Sequence, residues 1–200
     1  MGNTDIFEKM ASRYDTEERI NIARKSADAI RSYLENSKDK QAMDFGCGTG
    51  LVGINLLEEF ESILFVDSSQ NMIHQMDRKI KDFEIKNAST LYFDFEKEIS
   101  IDVRADYIFM SQVLLHIKDT AHILSRLYEI LNEDGHLIIV DFDKNDKIVS
   151  SLVHNGFDQE KLAIRMREIG FTETQSKTFY NGTNIFMNQD ASMFVIDAKK

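Results

Sequence analysis

The 200-residue chain lacks proline and tryptophan, has one cysteine and is poor in basic side chains. Without proline, its turns must be made by Gly, Asn, Asp and Ser. The single cysteine, Cys47, excludes an intramolecular disulfide. There are 24 lysines and arginines against 34 acidic residues, a net charge of −10, and the basic residues never form a run of five. This balance argues against a nucleic acid as the main partner, because proteins that bind nucleic acids need basic patches.

Long apolar runs are also missing. None approaches the roughly 20 residues that a membrane-spanning helix needs. The first eight residues lack the basic and apolar regions of a signal peptide. We therefore expect a cytoplasmic protein without a membrane partner. Hydrophobic residues make up 42% of the chain, enough for a sizeable core, and the length suits a single domain over residues 1–200.

The most informative stretch of the sequence runs from Ala42 to Gly53, AMDFGCGTGLVG. It combines a short apolar strand, three glycines at alternate positions and the start of a helical pattern. Glycine lets a ligand approach the backbone closely, and a turn into a helix N-terminus binds nucleotides because free N–H groups point outward there. Gly48 to Gly53 also fits the G-x-G-x-x-G dinucleotide fingerprint. Asp44 favours another ligand, since a carboxylate would repel a pyrophosphate and accept a hydrogen bond from an ammonium group.

Two more acidic residues follow predicted strands. Asp67 ends the apolar run 62–67 and lies 21 residues after Gly46, where a carboxylate accepts hydrogen bonds from ribose hydroxyls. Asp94 follows a predicted strand at 88–93. Further strands are predicted at 105–111, 171–180 and 192–197, and residues 131–141 are predicted to form a turn followed by the fifth strand. A turn is predicted at 181–184, and helices are predicted to begin at Ser68 or Ser69, Asp119 and Asp158.

The N-terminal residues 1–36 are predicted to form a helical cap segment before a core of residues 40–200. An apolar stripe predicts a helix that packs on the sheet; it consists of Ile20, Ala23, Ala27, Ile30 and Leu34. Asp15, with Glu18 three residues later, has the pattern of a capping box at the start of this helix.

The run Asp-x-Gly-x-Gly-x-Gly from Asp44 to Gly50 resembles the first motif of class I S-adenosylmethionine (AdoMet)-dependent methyltransferases. The similarity extends from Phe7 to Lys199 and is to the group that includes quinone-biosynthesis-type small-molecule enzymes. It implies an α/β fold with a Rossmann-like seven-stranded sheet of order 3-2-1-4-5-7-6, the last strand antiparallel, helices on both faces and an N-terminal helical cap. The cofactor, which has an amino-acid end and no phosphate, would lie at the carboxyl ends of strands 1 and 4.

The resemblance implies a cofactor site drawn from several segments: Tyr14, Arg19, Asp44, Gly46, Cys47, Gly48, Gly50, Asp67, Ser68, Met72, Asp94, Phe95 and Ser111. A structural role stays open for three of them, because Tyr14 could be a hydrophobic staple, Met72 a core residue and Asp94 a turn cap. Cys47 fits as a small residue beside the ligand and not as a nucleophile, since nothing near it in the sequence would lower its pKa.

The implied reaction moves the AdoMet methyl group to an O, N or C nucleophile of a small-molecule substrate and releases S-adenosylhomocysteine. It depends mainly on proximity and orientation, and an O or N nucleophile must also lose a proton. His116 and His154 are the candidate bases, since histidine titrates near pH 6.5; each could instead be a structural hydrogen bonder. The other three histidines are interpreted as surface residues, and no spacing suggests a metal site.

Two other functions stay open at this stage. One is an NAD(P)-dependent oxidoreductase that uses Gly48, Gly50 and Gly53, and the other is a non-catalytic AdoMet-binding module. The lack of proline excludes methyltransferases with an Asn/Asp-Pro-Pro-aromatic motif and those with a Pro-Cys nucleophile. The sequence does not distinguish a monomer from a homodimer, and a protein side chain is an alternative substrate.

Overall fold

A computed structural model of the chain describes residues 3–94 and 102–200, with side chains from Phe7 onward in the first range. One seven-stranded sheet runs through the molecule in the order β3-β2-β1-β4-β5-β7-β6. Its strands are β1 (Gln41–Phe45), β2 (Ser62–Asp67), β3 (Ala88–Tyr92), β4 (Ala105–Ser111), β5 (Leu131–Phe142), β6 (Thr172–Phe186) and β7 (Gln189–Lys199). The first five strands are parallel and β7 is antiparallel to both of its neighbours. The predicted fold and strand order are confirmed.

Helices cover both faces of the sheet. They are α1 (Asn3–Met10), α2 (Glu17–Arg31), α3 (Gln70–Asp82), α4 (Thr120–Ile130) and α5 (Gln159–Ile169). The apolar residues of α2 and α3 pack in one buried cluster, and those of α4 and α5 pack in the other. Ser69, Asp119 and Asp158 accept hydrogen bonds from backbone N–H groups at the starts of α3, α4 and α5, as their sequence positions predicted. None of the helices in the described ranges is long and apolar enough to cross a membrane.

The connection from β1 to β2 is not an α-helix. The pattern after Leu51 predicted a helix, and the structure has a seven-residue 3₁₀ helix, Gly53–Glu59. A 3₁₀ helix rises about 2.0 Å per residue, against about 1.5 Å for an α-helix. The short connection between Phe45 and Ser62 therefore crosses the sheet with fewer residues than an α-helix would need.

The C-terminal hairpin turns later than predicted. Asn181–Asn184 was the predicted turn, but β6 continues through these residues with an irregular register and ends at Phe186. Met187 and Asn188 form the actual two-residue loop, and both have positive φ (49° and 60°). Two left-handed residues match the twist of a hairpin. Asn-Gly is the commoner signal for such a loop, and Met187 gave no signal of its own.

The N-terminal segment is attached across the glycine turn. Asp15 does not cap α2; the side chain of Thr16 does so by accepting from the backbone N–H of Arg19. The Asp15 carboxylate instead accepts from the Thr49 hydroxyl and lies 2.7 Å from the Nζ of Lys79. Lys79 also donates to the carbonyl of Thr49 at 2.7 Å. These contacts hold the start of the chain over the carboxyl ends of β1 and β2.

Candidate active site

A cavity with two adjoining compartments opens at the carboxyl ends of the parallel strands. The larger compartment contains Asp67 at the end of β2, Asp94 beyond β3 and the residues that follow β4. The smaller lies between the glycine turn and the first turns of α2. Gly46 and Gly48 line both compartments. The strand order reverses between β1 and β4, and open α/β sheets bind their ligands at such a point.

The backbone donors of the glycine turn are bonded to β2. The N–H groups of Gly46 and Cys47 donate to the carbonyl of Val66 at 2.8 and 3.0 Å. The N–H of Gly48 donates to a carboxylate oxygen of Asp67 at 2.8 Å. The sequence predicted that free N–H groups would point toward the ligand, and at these three positions that prediction is wrong. A phosphate would find no donor at these positions, because each N–H already has a partner within the fold.

Two predicted cofactor residues, Asp44 and Gly50, do not line either compartment. The side chain of Asp44 is buried beneath the turn, where it accepts from the N–H of Gly53 at 3.1 Å. Burial raises its pKa to about 8, and it does not face a ligand ammonium. Gly50 has a φ of 80°, and a Cβ there would point at the buried side chain of Met76. Both residues therefore support the turn from its core-facing side and not from the side of the cavity.

The smaller compartment holds Arg19, which is the only cationic side chain among the described residues that line the cavity. Its Nη1 donates to the carbonyl of Tyr14 at 3.0 Å, and its Cζ lies 4.2 Å from the centre of the Tyr14 ring. Burial raises the pKa of the Tyr14 hydroxyl. Cys47 lines the same compartment, and burial raises the pKa of its thiol well above the usual value. A protonated thiol fits the predicted role of a small lining residue.

The larger compartment brings together most of the other predicted residues. Asp67, Ser68, Met72 and Asp94 line it, and Ser111 lines both compartments. Burial raises the pKa of Asp67, and the N–H groups of Gly48 and Ser69 oppose that rise. Phe95, the remaining predicted residue, lies outside the described part of the chain.

His116 lies in the larger compartment, at the end of the 3₁₀ turn Leu114–His116. Its ring meets the ring of Phe7 edge-on, with centres 5.1 Å apart. Burial lowers the pKa of His116 to about 4. The imidazole is therefore neutral at physiological pH, and a neutral imidazole has one ring nitrogen that can accept a proton.

His154, the second candidate base, does not line the cavity. Its Nε2 lies 2.8 Å from the carbonyl oxygen of Ile117. A carbonyl can only accept, so Nε2 must carry the ring proton. His136 also differs from the sequence-based interpretation as a surface residue: its ring stacks on Tyr107, and its Nδ1 lies 3.0 Å from a carboxylate oxygen of Asp197.

Comparisons with known proteins agree with this geometry. A family model described as a methyltransferase domain matches residues 43–137, which contain the glycine turn and strands β2 to β4. The crystal structure of a SAM-dependent methyltransferase from Aquifex aeolicus superimposes with a TM-score of 0.75 at 14% sequence identity, covering 96% of this chain and 97% of that chain. The chain therefore has the fold of this methyltransferase structure, and residues 43–137 match the methyltransferase-domain family.

The curated relatives that the chain matches are longer proteins. An uncharacterised methyltransferase of Schizosaccharomyces pombe is 26% identical over 119 residues, which are 56% of this chain and 42% of that protein. The (S)-coclaurine N-methyltransferase of Papaver somniferum is 26% identical over 136 residues, 66% of this chain and 38% of that protein. The chain therefore spans roughly two fifths of the length of these relatives.

Sequence reasoning missed several residues that line the cavity. Gln112 lines both compartments and has a φ of 56°, a left-handed conformation that is uncommon outside glycine. Such strain is concentrated at functional sites. The other missed residues are mainly apolar: Phe7, Phe45, Val66, Phe93, Val113, Ile117 and Ile123 in the larger compartment, and Ile22, Ala23, Leu51 and Val52 in the smaller. Phe93 and Val113 lie within two residues of a strand end, and that position was the signal that could have identified them.

The raised pKa of Asp44 gives the protein a pH-dependent term in stability. Since the pKa is near 8 in the folded state and about 3.9 in the unfolded state, folding favours the protonated form. That contribution is complete below pH 4 and is lost as the pH rises through 8. We expect Asp44→Asn, which can still accept from Gly53, to gain on the order of 2–4 kcal/mol relative to wild type between pH 5 and pH 8.5.

Urea unfolding of both proteins at pH 5, 7 and 8.5 measures this difference. Asp146→Asn is the matched control, because the Asp146 side chain is 83% exposed, and its difference from wild type should not change with pH. A constant difference for Asp44→Asn would mean that this carboxyl titrates like an exposed one.

Proposed function

We propose that this chain binds AdoMet in the two-compartment cavity and transfers its methyl group to a small-molecule acceptor. The observation that best supports this proposal is that the N–H groups of Gly46, Cys47 and Gly48 already donate hydrogen bonds within the fold. A loop that binds pyrophosphate presents such donors to its ligand. A loop whose donors are occupied suits the amino-acid end of AdoMet, whose ammonium group needs acceptors.

The cavity has complementary groups for the ribose, the adenine and the carboxylate of the cofactor. We assign the ribose hydroxyls to Asp67 at the end of β2 and the adenine amine to Asp94, with Met72 beside the ring. The carboxylate of the cofactor would pair with Arg19 in the smaller compartment. This placement puts the sulfonium methyl near Ser111 and Gln112, which line both compartments.

The chemistry needs little more than alignment, because the sulfonium methyl is already electrophilic. The protein would hold the acceptor in line with the S–CH₃ bond and keep water away from it. His116, held neutral by its surroundings, can accept a hydrogen bond or a proton from an N–H or O–H of the acceptor. A carbon nucleophile would need no such group.

Two observations support a small-molecule acceptor: the lining of the cavity and the name of one relative. Residues of the N-terminal segment and residues after β4 line the cavity, and its larger compartment is lined mostly by apolar side chains. The Papaver somniferum relative is by its name an N-methyltransferase. A nitrogen nucleophile is therefore the first acceptor class to screen, followed by oxygen and carbon nucleophiles.

Calorimetric titration with S-adenosylhomocysteine, with NAD as the control ligand, tests the cofactor assignment. We expect binding of S-adenosylhomocysteine in the micromolar range, about −8 kcal/mol, and no heat from NAD. Methyl transfer from labelled AdoMet to a panel of amines, phenols and carbon acids then tests turnover. Binding of NAD alone would instead support the oxidoreductase alternative, and cofactor binding without any turnover would favour a non-catalytic module.

Replacing His116 separates cofactor binding from catalysis. We expect His116→Ala to bind S-adenosylhomocysteine within about threefold of wild type and to lower turnover of a nitrogen or oxygen acceptor by about 10²-fold, the usual contribution of a general base. His122→Ala is the control, since His122 is exposed on α4. Full turnover by His116→Ala would assign this residue a structural role only.

A further inference from the structure

The segment Val113–Ile117, between β4 and α4, lines the larger compartment through Val113, His116 and Ile117. It has little internal support. Within it, the N–H of His116 donates to the carbonyl of Val113 at 2.9 Å, and the N–H of Ile117 donates to that of Leu114 at 3.1 Å. A 3₁₀ turn of three residues is too short to be stable alone, so its position must come from its neighbours.

One side of this segment is held by Asp141 at the end of β5. The side chain is fully buried, and its carboxylate accepts from the N–H of Leu115 at 3.1 Å and from that of Phe142 at 2.8 Å. A buried carboxylate is costly unless such bonds satisfy it. Asp141 therefore anchors the N–H side of the turn to the sheet and leaves its carbonyl oxygens for other partners.

Two of the segment's carbonyl oxygens, those of Leu115 and Ile117, accept hydrogen bonds from a single residue, His154. Its backbone N–H donates to the carbonyl of Leu115 at 2.8 Å. Its ring Nε2–H donates to the carbonyl of Ile117, also at 2.8 Å. Leu115 and Ile117 are the two residues on either side of His116, so His154 binds the backbone immediately before and immediately after it.

His154 is itself fixed by a closed loop. Residues 143–157 begin and end beside β5, where Lys144 N–H donates to the carbonyl of Phe157 and Phe157 N–H donates to that of Phe142, both at 2.9 Å. A further bond of 2.7 Å joins Asn145 N–H to the carbonyl of Asn155. The loop therefore presents the His154 ring to the segment Val113–Ile117 from a base tied to the sheet.

We infer that His154 is a positioning residue, which holds His116 in the cavity by hydrogen bonding to the carbonyls that flank it. The importance of this role rests on the proposed function, in which His116 faces the methyl acceptor. Without the ring bond, the carbonyl of Ile117 would turn toward water, and the His116 ring would move away from the apolar contact with Phe7.

Three variants test this inference. His154→Phe keeps a ring beside Phe157 but cannot donate, His154→Gln keeps a donor at the end of its side chain, and His74→Ala is a control on the exposed side of α3. The readout is the titration of the His116 ring, followed by NMR on the ligand-free protein and assigned with His116→Ala.

In wild type, His154→Gln and His74→Ala, we expect His116 to titrate well below the ordinary value of about 6.5. In His154→Phe its titration should shift upward by at least about one pH unit toward that value. An unchanged titration in His154→Phe would overturn the inference. An equal shift in His154→Gln would also do so, because the donor would then be irrelevant.

A measurement on the wild-type protein covers the case in which His154→Phe does not fold. The nitrogen chemical shifts of the His154 ring report which nitrogen carries the proton, and we expect Nε2–H. A ring protonated on Nδ1 alone would be incompatible with the bond to Ile117. Neither readout uses the cofactor, so a wild-type protein that fails to bind S-adenosylhomocysteine would reject the proposed function without deciding the role of His154.

Discussion

Replacing Gly50 by alanine should lower the free energy of unfolding by about 3 kcal/mol. Two costs add at this position. A left-handed residue other than glycine costs about 1–2 kcal/mol, and Gly50 has a φ of 80°. The new Cβ would also overlap the sulfur of Met76 and lie 3.4 Å from the ring of Phe65, both fully buried. Relieving such overpacking typically costs about 1–3 kcal/mol.

Gly48→Ala is the matched variant for this experiment. Gly48 also has a positive φ, 54°, but the nearest atom to a Cβ there is a ring carbon of Tyr14 at 3.8 Å, an ordinary contact. Only the backbone cost remains, so we expect a loss of about 1–2 kcal/mol. Urea unfolding at pH 7 compares the two. Equal losses would show that the core around Met76 adjusts freely and that the glycine turn is not packed against it.

The contrast between these two glycines shows where sequence reasoning succeeds and where it stops. Three glycines at alternate positions after an apolar strand predicted a ligand-binding turn, and a cavity lies there. The spacing does not tell which glycine faces the ligand, because that depends on the dihedral angles of each residue. Gly48 faces the cavity and Gly50 faces the core, and only the tertiary structure separates them.

The positions of most strands were accessible from the sequence because their signals are local. Most strands contain a short apolar run with a cap or turn residue nearby, and the family resemblance supplied their order. The pairings that build the site are long-range. Asp67 accepts a hydrogen bond from the N–H of Gly48, and His154 donates one to the carbonyl of Ile117. No local sequence pattern encodes either bond. The same is true of Asp15, for which the predicted capping role was wrong: Thr16 caps α2, and the partners of Asp15 are Thr49 and Lys79.

The two candidate bases also differ in a way that only the tertiary structure reveals. His116 and His154 are both histidines in segments outside the regular strands and helices, so the sequence ranked them alike. Only one faces the cavity, because the loop 143–157 folds back on β5 and directs the His154 ring at the backbone. A single sequence gives the type of each residue. The direction of a side chain on an irregular segment depends on tertiary contacts, which a single sequence does not reveal.

Asp67→Ala should weaken binding of S-adenosylhomocysteine by about 10- to 100-fold while the protein stays folded. Two losses contribute. The ribose would lose its charge-assisted hydrogen bonds, worth about 1.5–3 kcal/mol, and each 1.4 kcal/mol is a factor of ten in affinity. The glycine turn would also lose an anchor, because the carboxylate accepts from the N–H groups of Gly48 and Ser69, both at 2.8 Å.

Calorimetry of Asp67→Ala beside Asp77→Ala separates these losses from a general effect of removing a carboxylate. Asp77 lies on the exposed side of α3, accepts from the hydroxyl of Thr90 and does not line the cavity, so its variant should bind like wild type. Asp67→Asn adds a further comparison. The amide keeps the size of the side chain, but its NH₂ group would face a backbone N–H, and two donors cannot form a hydrogen bond with each other. We expect it to bind nearly as weakly as Asp67→Ala. Wild-type affinity in either Asp67 variant would remove this residue from the cofactor site and with it the assignment of the ribose to the end of β2.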